Sequence, residues 1–124
     1  MKLIDTHTHL YVEAFDEDRD QVIEKAIAVG VERFYLPAID STYTARMLDL
    51  EKKYPDHIRL MMGLHPTHVK ENYKEELLHV EQFLAKRNFA AVGEIGIDLY
   101  WDKSFLKQQQ EAFDAQISWA KEKE

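Results

Sequence analysis

The sequence predicts an α/β fold in which parallel strands alternate with helices. Short apolar runs alternate four times with longer amphipathic stretches, and no linker, low-complexity tract or repeat interrupts them. Such alternation is typical of a parallel sheet covered by helices. The chain has 124 residues, the size of one ordinary domain. We therefore treat residues 1–124 as a single domain of four βα units.

The first unit opens with an apolar run at residues 2–6, which we predict to be a buried strand. Residues 16–29 have the period of an amphipathic helix. The apolar positions of this helix share one face: Val22, Ile23, Ala26 and Ile27. Gly30 follows directly and is a typical helix stop.

The second unit has a strand at residues 33–36 and a helix for which Ser41 is a suitable N-cap. The apolar positions of that helix are Tyr43, Met47, Leu50 and Tyr54. Pro55 ends it, because proline cannot continue a helix.

The third unit combines a strand at residues 58–62 with a helix over residues 73–87. The inward positions of this helix are Leu77, Val80 and Leu84. The fourth unit has a strand at residues 89–94 and a helix from about residue 104 to the end. The apolar side of the last helix comprises Leu106, Phe113, Ile117 and Ala120.

Two architectures use four βα units in a row. One is an open doubly wound sheet, which carries helices on both faces. The other is half of a TIM barrel, whose full length is usually about 250 residues. The hydrophobic period does not choose between them.

The composition excludes several functional classes. The net charge of −7 argues against a passive DNA-binding module, whose phosphate affinity normally comes from a basic face. It argues less against an enzyme, because bound divalent metals supply positive charge locally. The absence of cysteine excludes disulfides and thiolate metal sites. Together with the early Asp5, which is unlike a signal peptide, it favours a cytoplasmic protein. No apolar run approaches the roughly 20 residues that span a bilayer.

The first motif is Asp5-Thr6-His7-Thr8-His9, at the end of the first strand. Residues two apart in a strand point to the same side. We therefore expect Asp5, His7 and His9 to line the edge of the sheet where α/β proteins bind ligands. Two imidazoles so placed can share one divalent ion. Asp5 can then accept a hydrogen bond from a ligand histidine and set its tautomer.

Two further motifs end the third and fourth strands. Glu94 lies in Gly93-Glu94-Ile95-Gly96-Ile97-Asp98, where a carboxylate can reach a metal held by the first strand. A glutamate in so apolar a strand is costly without a cationic partner. His65 lies in Gly63-Leu64-His65-Pro66 and is presented on the same rim. It either contacts a phosphate or an attacking water there, or is an ordinary hydrogen-bonded loop histidine.

Other candidates are weaker. His57 precedes a strand, His79 lies on a helix and His68 lies in a loop near the rim, so a surface role is favoured for all three. Tyr100 and Trp101 follow Asp98. They either form a wall for a substrate base, since aromatic faces stack on bases, or pack the loop.

These motifs together resemble the TatD family of metal-dependent deoxyribonucleases. The resemblance rests on their order and on the run Gly93-Glu94-Ile95-Gly96-Ile97-Asp98-Leu99-Tyr100, and it covers the whole chain. It implies a TIM barrel with two divalent ions (zinc, manganese or magnesium) at its mouth. By that resemblance His7 and His9 hold one ion, and Glu94 is the catalytic residue that bridges both. By the same resemblance, Asp98 does not bind an ion but supports the ligands or the loop that carries them. The implied substrate is DNA.

The resemblance also implies that half of the barrel and part of the metal site are missing from this chain. Members of this family are about twice as long, and their later half supplies two more metal-binding histidines and an aspartate. A four-stranded half would leave its inner face and two strand edges open. We therefore expect this chain to be part of a longer protein or to cover that face with a self-association partner.

Two alternatives remain open at this point. One is another amidohydrolase-like barrel acting on an amide, lactone or phosphoester. The other is a catalytically incomplete module that binds metal or assembles without turnover.

Overall fold

Four parallel strands form a sheet in the order in which they occur along the chain. The computed structural model describes residues 1–123. The strands are β1 (Leu3–Asp5), β2 (Val31–Leu36), β3 (Ile58–Met62) and β4 (Ala91–Val92). A doubly wound sheet reverses its strand order, whereas barrel strands follow one another around the axis. The sheet is therefore half of a TIM barrel, and the doubly wound alternative is wrong.

A helix follows each strand, as the alternating pattern predicted. The helices are α1 (Arg19–Ala28), α2 (Thr44–Lys53), α3 (Tyr73–Lys86) and α4 (Leu106–Glu122). Gly30 stops α1 with a φ of 113°, and a Cβ there would lie 2.3 Å from the Met1 carbonyl oxygen. Only glycine fits that turn. Within residues 1–123 no helix combines the length and apolarity needed to cross a bilayer.

The core lies between the sheet and its helices. The buried strand residues are Phe34, Leu36, Ile58, Leu60 and Met62. In β3 they alternate with Arg59 and Met61, which are only partly buried. Successive strand residues point to opposite faces, so the helices cover one face. The other face, which is the inside of a barrel, stays partly open.

Two strands differ from the prediction. We expected β1 to be buried, but Leu3 is 40% exposed and Ile4 is 52% exposed. The reason is that β1 is a short strand at the edge of the sheet that pairs only with β2 within the described residues, so both of its faces stay partly uncovered. The fourth strand is shorter than residues 89–94, because Gly93 and Glu94 turn aside to bond with Ala38.

The start of the second helix also differs. Ser41 does not cap α2. It begins a 3-10 turn, Ser41–Tyr43, that leads into α2, and the Asp40 carboxylate caps that turn by accepting the Thr42 backbone N–H at 2.9 Å. The Ser41 N–H and hydroxyl donate to the buried Glu76 carboxylate at 2.9 and 2.7 Å. Ser41 therefore ties this loop to α3.

The last helix buries a polar stripe where an apolar one was expected. Its buried residues are Gln109, Ala112 and Gln116. Leu106 is exposed, and the other predicted positions are only partly buried. The two glutamines are buried because each satisfies backbone groups of a loop that leads to the site described below.

Candidate metal centre

Three loops converge at the carboxyl end of the sheet and bring four polar side chains together. His7 and His9 follow β1, His65 follows β3, and Glu94 follows β4. The carboxyl ends of parallel strands share one edge, which is the usual position of a barrel's active site. This convergence is the one expected from the sequence.

The backbone at residues 35–39, at the end of β2, holds all three loops. Four main-chain hydrogen bonds of 2.9 to 3.2 Å make the connection: Thr8 N–H to Tyr35 O, His65 N–H to Ile39 O, Ala38 N–H to Gly93 O, and Glu94 N–H to Ala38 O. No motif indicated this role, since main-chain bonding does not depend on the side chains that form a motif.

Gly63 allows two of these loops to approach closely. A Cβ at Gly63 would lie 2.8 Å from the Gly93 carbonyl carbon and 3.1 Å from Gln116 Oε1. The first distance is shorter than real Cβ contacts allow, and the atom it meets is backbone. Glycine is therefore required there for the Glu94 segment to pass over the end of β3.

The Glu94 carboxylate lies at the centre of the cluster. Its Oε2 is 3.1 Å from His7 Nε2 and 3.2 Å from His9 Nε2. Its Oε1 is 3.1 Å from His65 Nε2. The peptide bond that precedes Glu94 is cis. Among residues 1–123, His7, His9 and Glu94 are the one group of three whose ligand atoms lie within 4.8 Å of one another.

The donor set fits a divalent cation. Glu94 Oε2 is buried and accepts no hydrogen bond from any described residue. A buried anionic oxygen without a partner is costly, and a cation shared with two imidazole nitrogens would remove that cost. Nitrogen and carboxylate oxygen are ordinary ligands of zinc and manganese.

His9 and His65 have the neutral charge state that a metal-binding imidazole requires. Burial lowers the pKa of His9 and of His65 below the ordinary 6.5, although the Glu94 charge acts in the opposite direction. Both rings are therefore neutral near pH 7. A neutral imidazole can offer a lone pair to a metal.

The hydrogen bond that we expected from Asp5 is made by Tyr11. Asp5 Oδ1 accepts the His7 backbone N–H at 3.1 Å and makes no hydrogen bond to the ring of His7 or His9. The Tyr11 hydroxyl lies 2.9 Å from His9 Nδ1. Burial, reinforced by the charge of Glu94, raises the pKa of Tyr11, so the phenol keeps its proton. Tyr11 was not predicted to belong to the site, because an aromatic residue after a strand usually packs in the core.

Asp98 supports the loop after Glu94. Its carboxylate accepts the Tyr100 N–H at 3.0 Å. Gln109 brackets the Asp98 backbone, accepting its N–H at 2.8 Å and donating to its carbonyl at 2.9 Å. Gln116 accepts the Leu64 N–H at 2.7 Å, directly before His65. The two glutamines of α4 therefore hold two site loops, a role that their polar character did not suggest.

The remaining histidines do not join the cluster. His68 Nδ1 lies 2.7 Å from Asp40 Oδ2 on the rim, and its ring centroid is 6.0 Å from that of His65. His57 bonds to the Glu32 carbonyl and His79 to the Thr44 hydroxyl, both at 2.8 Å. All three have hydrogen-bond partners away from Glu94.

Tyr100 and Trp101 project from the loop beyond Asp98. Their rings meet edge to face at 4.7 Å and are 82% and 78% exposed. They therefore do not pack the loop, and their faces are accessible. Whether they meet a substrate base stays a prediction.

The chain is similar to a set of proteins that are about twice its length. It is 38% identical to the uncharacterized metal-dependent hydrolase YabD of Bacillus subtilis, over 97% of this chain and 47% of that protein. It is 29% identical to the 3′-5′ ssDNA/RNA exonuclease TatD of Erwinia tasmaniensis, over 97% of this chain and 46% of that protein. The chain thus spans about half the length of these relatives.

A solved structure has the same fold. The crystal structure of YjjV, a TatD homologue from Escherichia coli, superposes with a TM-score of 0.86 at 33% identity. The match covers 97% of this chain and 47% of that chain. A family model described as TatD related DNase matches residues 4–124. With its half-barrel fold and its histidine–glutamate cluster, this chain belongs to the TatD family of metal-dependent hydrolases.

Proposed function

We propose that this chain supplies one half of a TatD-type active site that hydrolyses phosphodiester bonds of DNA with the help of divalent ions. The observation that carries the proposal is the buried Glu94 Oε2, which lies between two histidine nitrogens and lacks a hydrogen-bond partner among the described residues. The similarity to a protein named as a single-strand exonuclease supports the choice of substrate.

His7, His9 and Glu94 would hold the first ion. Zinc or manganese suits their mixed nitrogen and oxygen donors, whereas magnesium prefers oxygen alone. Bound divalent ions in such enzymes polarise the phosphoryl oxygen and lower the pKa of water. The other oxygen of Glu94, Oε1, lies 3.1 Å from His65 Nε2 and would be the carboxylate donor available to a second ion.

His65 is assigned to the substrate phosphate. Its Nδ1 accepts the Thr67 backbone N–H at 3.1 Å, so the proton of the neutral ring is on Nε2. That N–H points at Glu94 Oε1, 3.1 Å away. A donor beside the metal-binding carboxylate is well placed to bind a phosphate oxygen, which accepts strong hydrogen bonds.

A second ion would need donors beyond this cluster. Among residues 1–123 no other group of three metal-binding side chains is close enough to hold one. The relatives are about twice as long. We therefore assign the remaining ligands of a two-ion site to a second half-barrel that completes the ring.

The open sheet face is where that second half-barrel would pack. Ile4 is half exposed, and Arg33 and Ala91 on the neighbouring strands are exposed. A covering half would also pair with the free edges of β1 and β4. Alternatively, a self-association partner would cover this face. That arrangement would fit the alternative in which the chain is an assembly module without catalytic turnover.

Metal binding and nuclease activity test the proposal separately. Titration calorimetry with Mn²⁺ and Zn²⁺ should show one ion bound per chain, with affinity lost in Glu94→Gln and kept in the exposed control Glu81→Gln. Hydrolysis of single-stranded DNA is then assayed with Mn²⁺, Mg²⁺ and Zn²⁺, beside an ester and an amide substrate.

Each outcome has a distinct meaning. DNA hydrolysis that disappears in Glu94→Gln supports the nuclease. Metal binding without turnover means that the chemistry requires the second half. Hydrolysis of the ester or amide alone would replace the nuclease by another hydrolase. Metal affinity unaffected by Glu94→Gln would refute the site itself.

A further inference from the structure

We propose that Tyr11 is a positioning residue, which holds the His9 ring in the tautomer whose Nε2 is free to bind a metal ion. The inference rests on the proposed function, since it assigns His9 as a ligand. It adds a residue that lies outside the cluster and would act on a bound metal only through His9.

The hydrogen-bond directions around Tyr11 allow one arrangement. Its hydroxyl lies 2.5 Å from the Pro37 carbonyl oxygen and 2.9 Å from His9 Nδ1. A carbonyl oxygen can only accept, so the phenol proton is directed to Pro37. The phenol oxygen then has only acceptor capacity left for the ring. His9 Nδ1 must therefore carry the proton and donate it.

The consequence appears on the other side of the ring. A neutral imidazole has one N–H, so His9 Nε2 carries a lone pair. That lone pair faces Glu94 Oε2 at 3.2 Å, and the carboxylate oxygen is also an acceptor. Two acceptors at that distance repel each other unless a cation lies near both. The tautomer set by Tyr11 thus matches a metal site.

Comparison with His65 shows that the Nδ1–H tautomer is specific to His9. The Thr67 N–H and hydroxyl both approach His65 Nδ1, at 3.1 and 2.8 Å. That ring therefore carries its proton on Nε2 and donates to Glu94. The two histidines face the same carboxylate in opposite tautomers, one suited to a metal and the other to an anion.

The surroundings of Tyr11 hold its hydroxyl in place. The side chain is 1% exposed, and its ring packs edge to face on Tyr43 at 5.5 Å. The Tyr11 carbonyl accepts hydrogen bonds from Arg19 at 3.2 Å and Arg46 at 3.0 Å. A hydroxyl fixed in this way can select a ring orientation at little further entropic cost.

The test uses Tyr11→Phe, which keeps the ring and removes the hydroxyl. Tyr43→Phe is the matched control, because within residues 1–123 that hydroxyl bonds only to the exposed Glu13 carboxylate. We expect Zn²⁺ and Mn²⁺, titrated alone, to bind Tyr11→Phe about 10- to 100-fold more weakly. The control should bind them as the unaltered chain does. Circular dichroism checks that both variants fold.

A spectroscopic measurement on the unaltered chain gives an independent readout. In metal-free buffer, two-bond ¹⁵N–¹H couplings report which ring nitrogen is protonated, and His9→Gln assigns the His9 signals. We expect the Nδ1–H form in the unaltered chain and a loss of that preference in Tyr11→Phe.

Two results would overturn the inference: a His9 ring protonated on Nε2 in the unaltered chain, or unchanged metal affinity in a folded Tyr11→Phe. If the unaltered chain binds no metal, the proposed function fails, whereas the tautomer measurement still decides the role of Tyr11.

Discussion

Replacing Gln116 with leucine should destabilise the fold through one backbone group of a site loop. The Gln116 side chain is buried, and its Oε1 accepts the Leu64 N–H at 2.7 Å. Its Nε2 donates to the carbonyl of Ala112, one turn earlier in α4. Leucine fills a similar volume but makes neither bond. The Leu64 N–H would then be buried without an acceptor.

The magnitude follows from the two bonds taken separately. A buried donor left unsatisfied costs about 1–3 kcal/mol. The bond to Ala112 contributes little, because a helical carbonyl already accepts a backbone N–H four residues on. Burying leucine in place of an amide returns part of the loss. We expect a decrease of about 2 kcal/mol in the free energy of unfolding.

Urea denaturation followed by circular dichroism measures this decrease. With a slope of about 1–3 kcal/mol per molar urea, the midpoint should fall by roughly 1 M. Gln110→Leu is the matched control, since Gln110 lies on the exposed face of the same helix. If Gln116→Leu lost no more stability than Gln110→Leu, the assignment of a structural role to the buried amide would be wrong.

Three further perturbations have defined outcomes. Burial lowers the pKa values of His9 and His65 below 6.5, so the unfolded chain takes up protons first as the pH falls. In metal-free buffer the free energy of unfolding should therefore be highest above pH 6.5 and should decrease as the pH falls below it. A double variant, His9→Gln with His65→Gln, should show a flatter dependence of this free energy on pH. Hydrogen bonds from Arg46 and Arg19 lower the pKa of Asp16 from 3.8 to about 2. The stabilisation by Asp16 is therefore present above about pH 4 and lost as the pH approaches 2. Urea denaturation of Asp16→Asn should show lower stability than the unaltered chain at about pH 4 or above, and equal stability near pH 2. Gly63→Ala places a Cβ 2.8 Å from backbone and should cost about 1–3 kcal/mol in the same urea assay; an unchanged midpoint would show that the loops can move apart.

The local pattern predicted the elements well where they repeat a period. The strand at residues 58–62 and the start of the third helix at Tyr73 agree with the structure. Boundaries were less accurate where a tertiary contact ended an element. The fourth strand stops at Val92 because Gly93 and Glu94 pair with Ala38.

Residue type misled the prediction of burial in two places. The apolar Leu3 and Ile4 are exposed because β1 is a short strand at the edge of the sheet, with both of its faces partly uncovered. The polar Gln109 and Gln116 are buried because they bond to loop backbone. Hydrophobic periodicity reflects only how favourably each side chain is transferred from water to an apolar interior. It contains no information about a hydrogen bond to a distant segment of the chain.

The sequence by itself determined the four βα units and placed His7, His9, His65 and Glu94 after strands, because periodicity and parallel connection are local properties. The tertiary structure decided the strand order, the hydrogen bonds of the backbone at residues 35–39 and the hydroxyl of Tyr11 beside His9. Those features join residues far apart in the chain. Their geometry depends on how the loops pack against one another, and no spacing along the sequence encodes it.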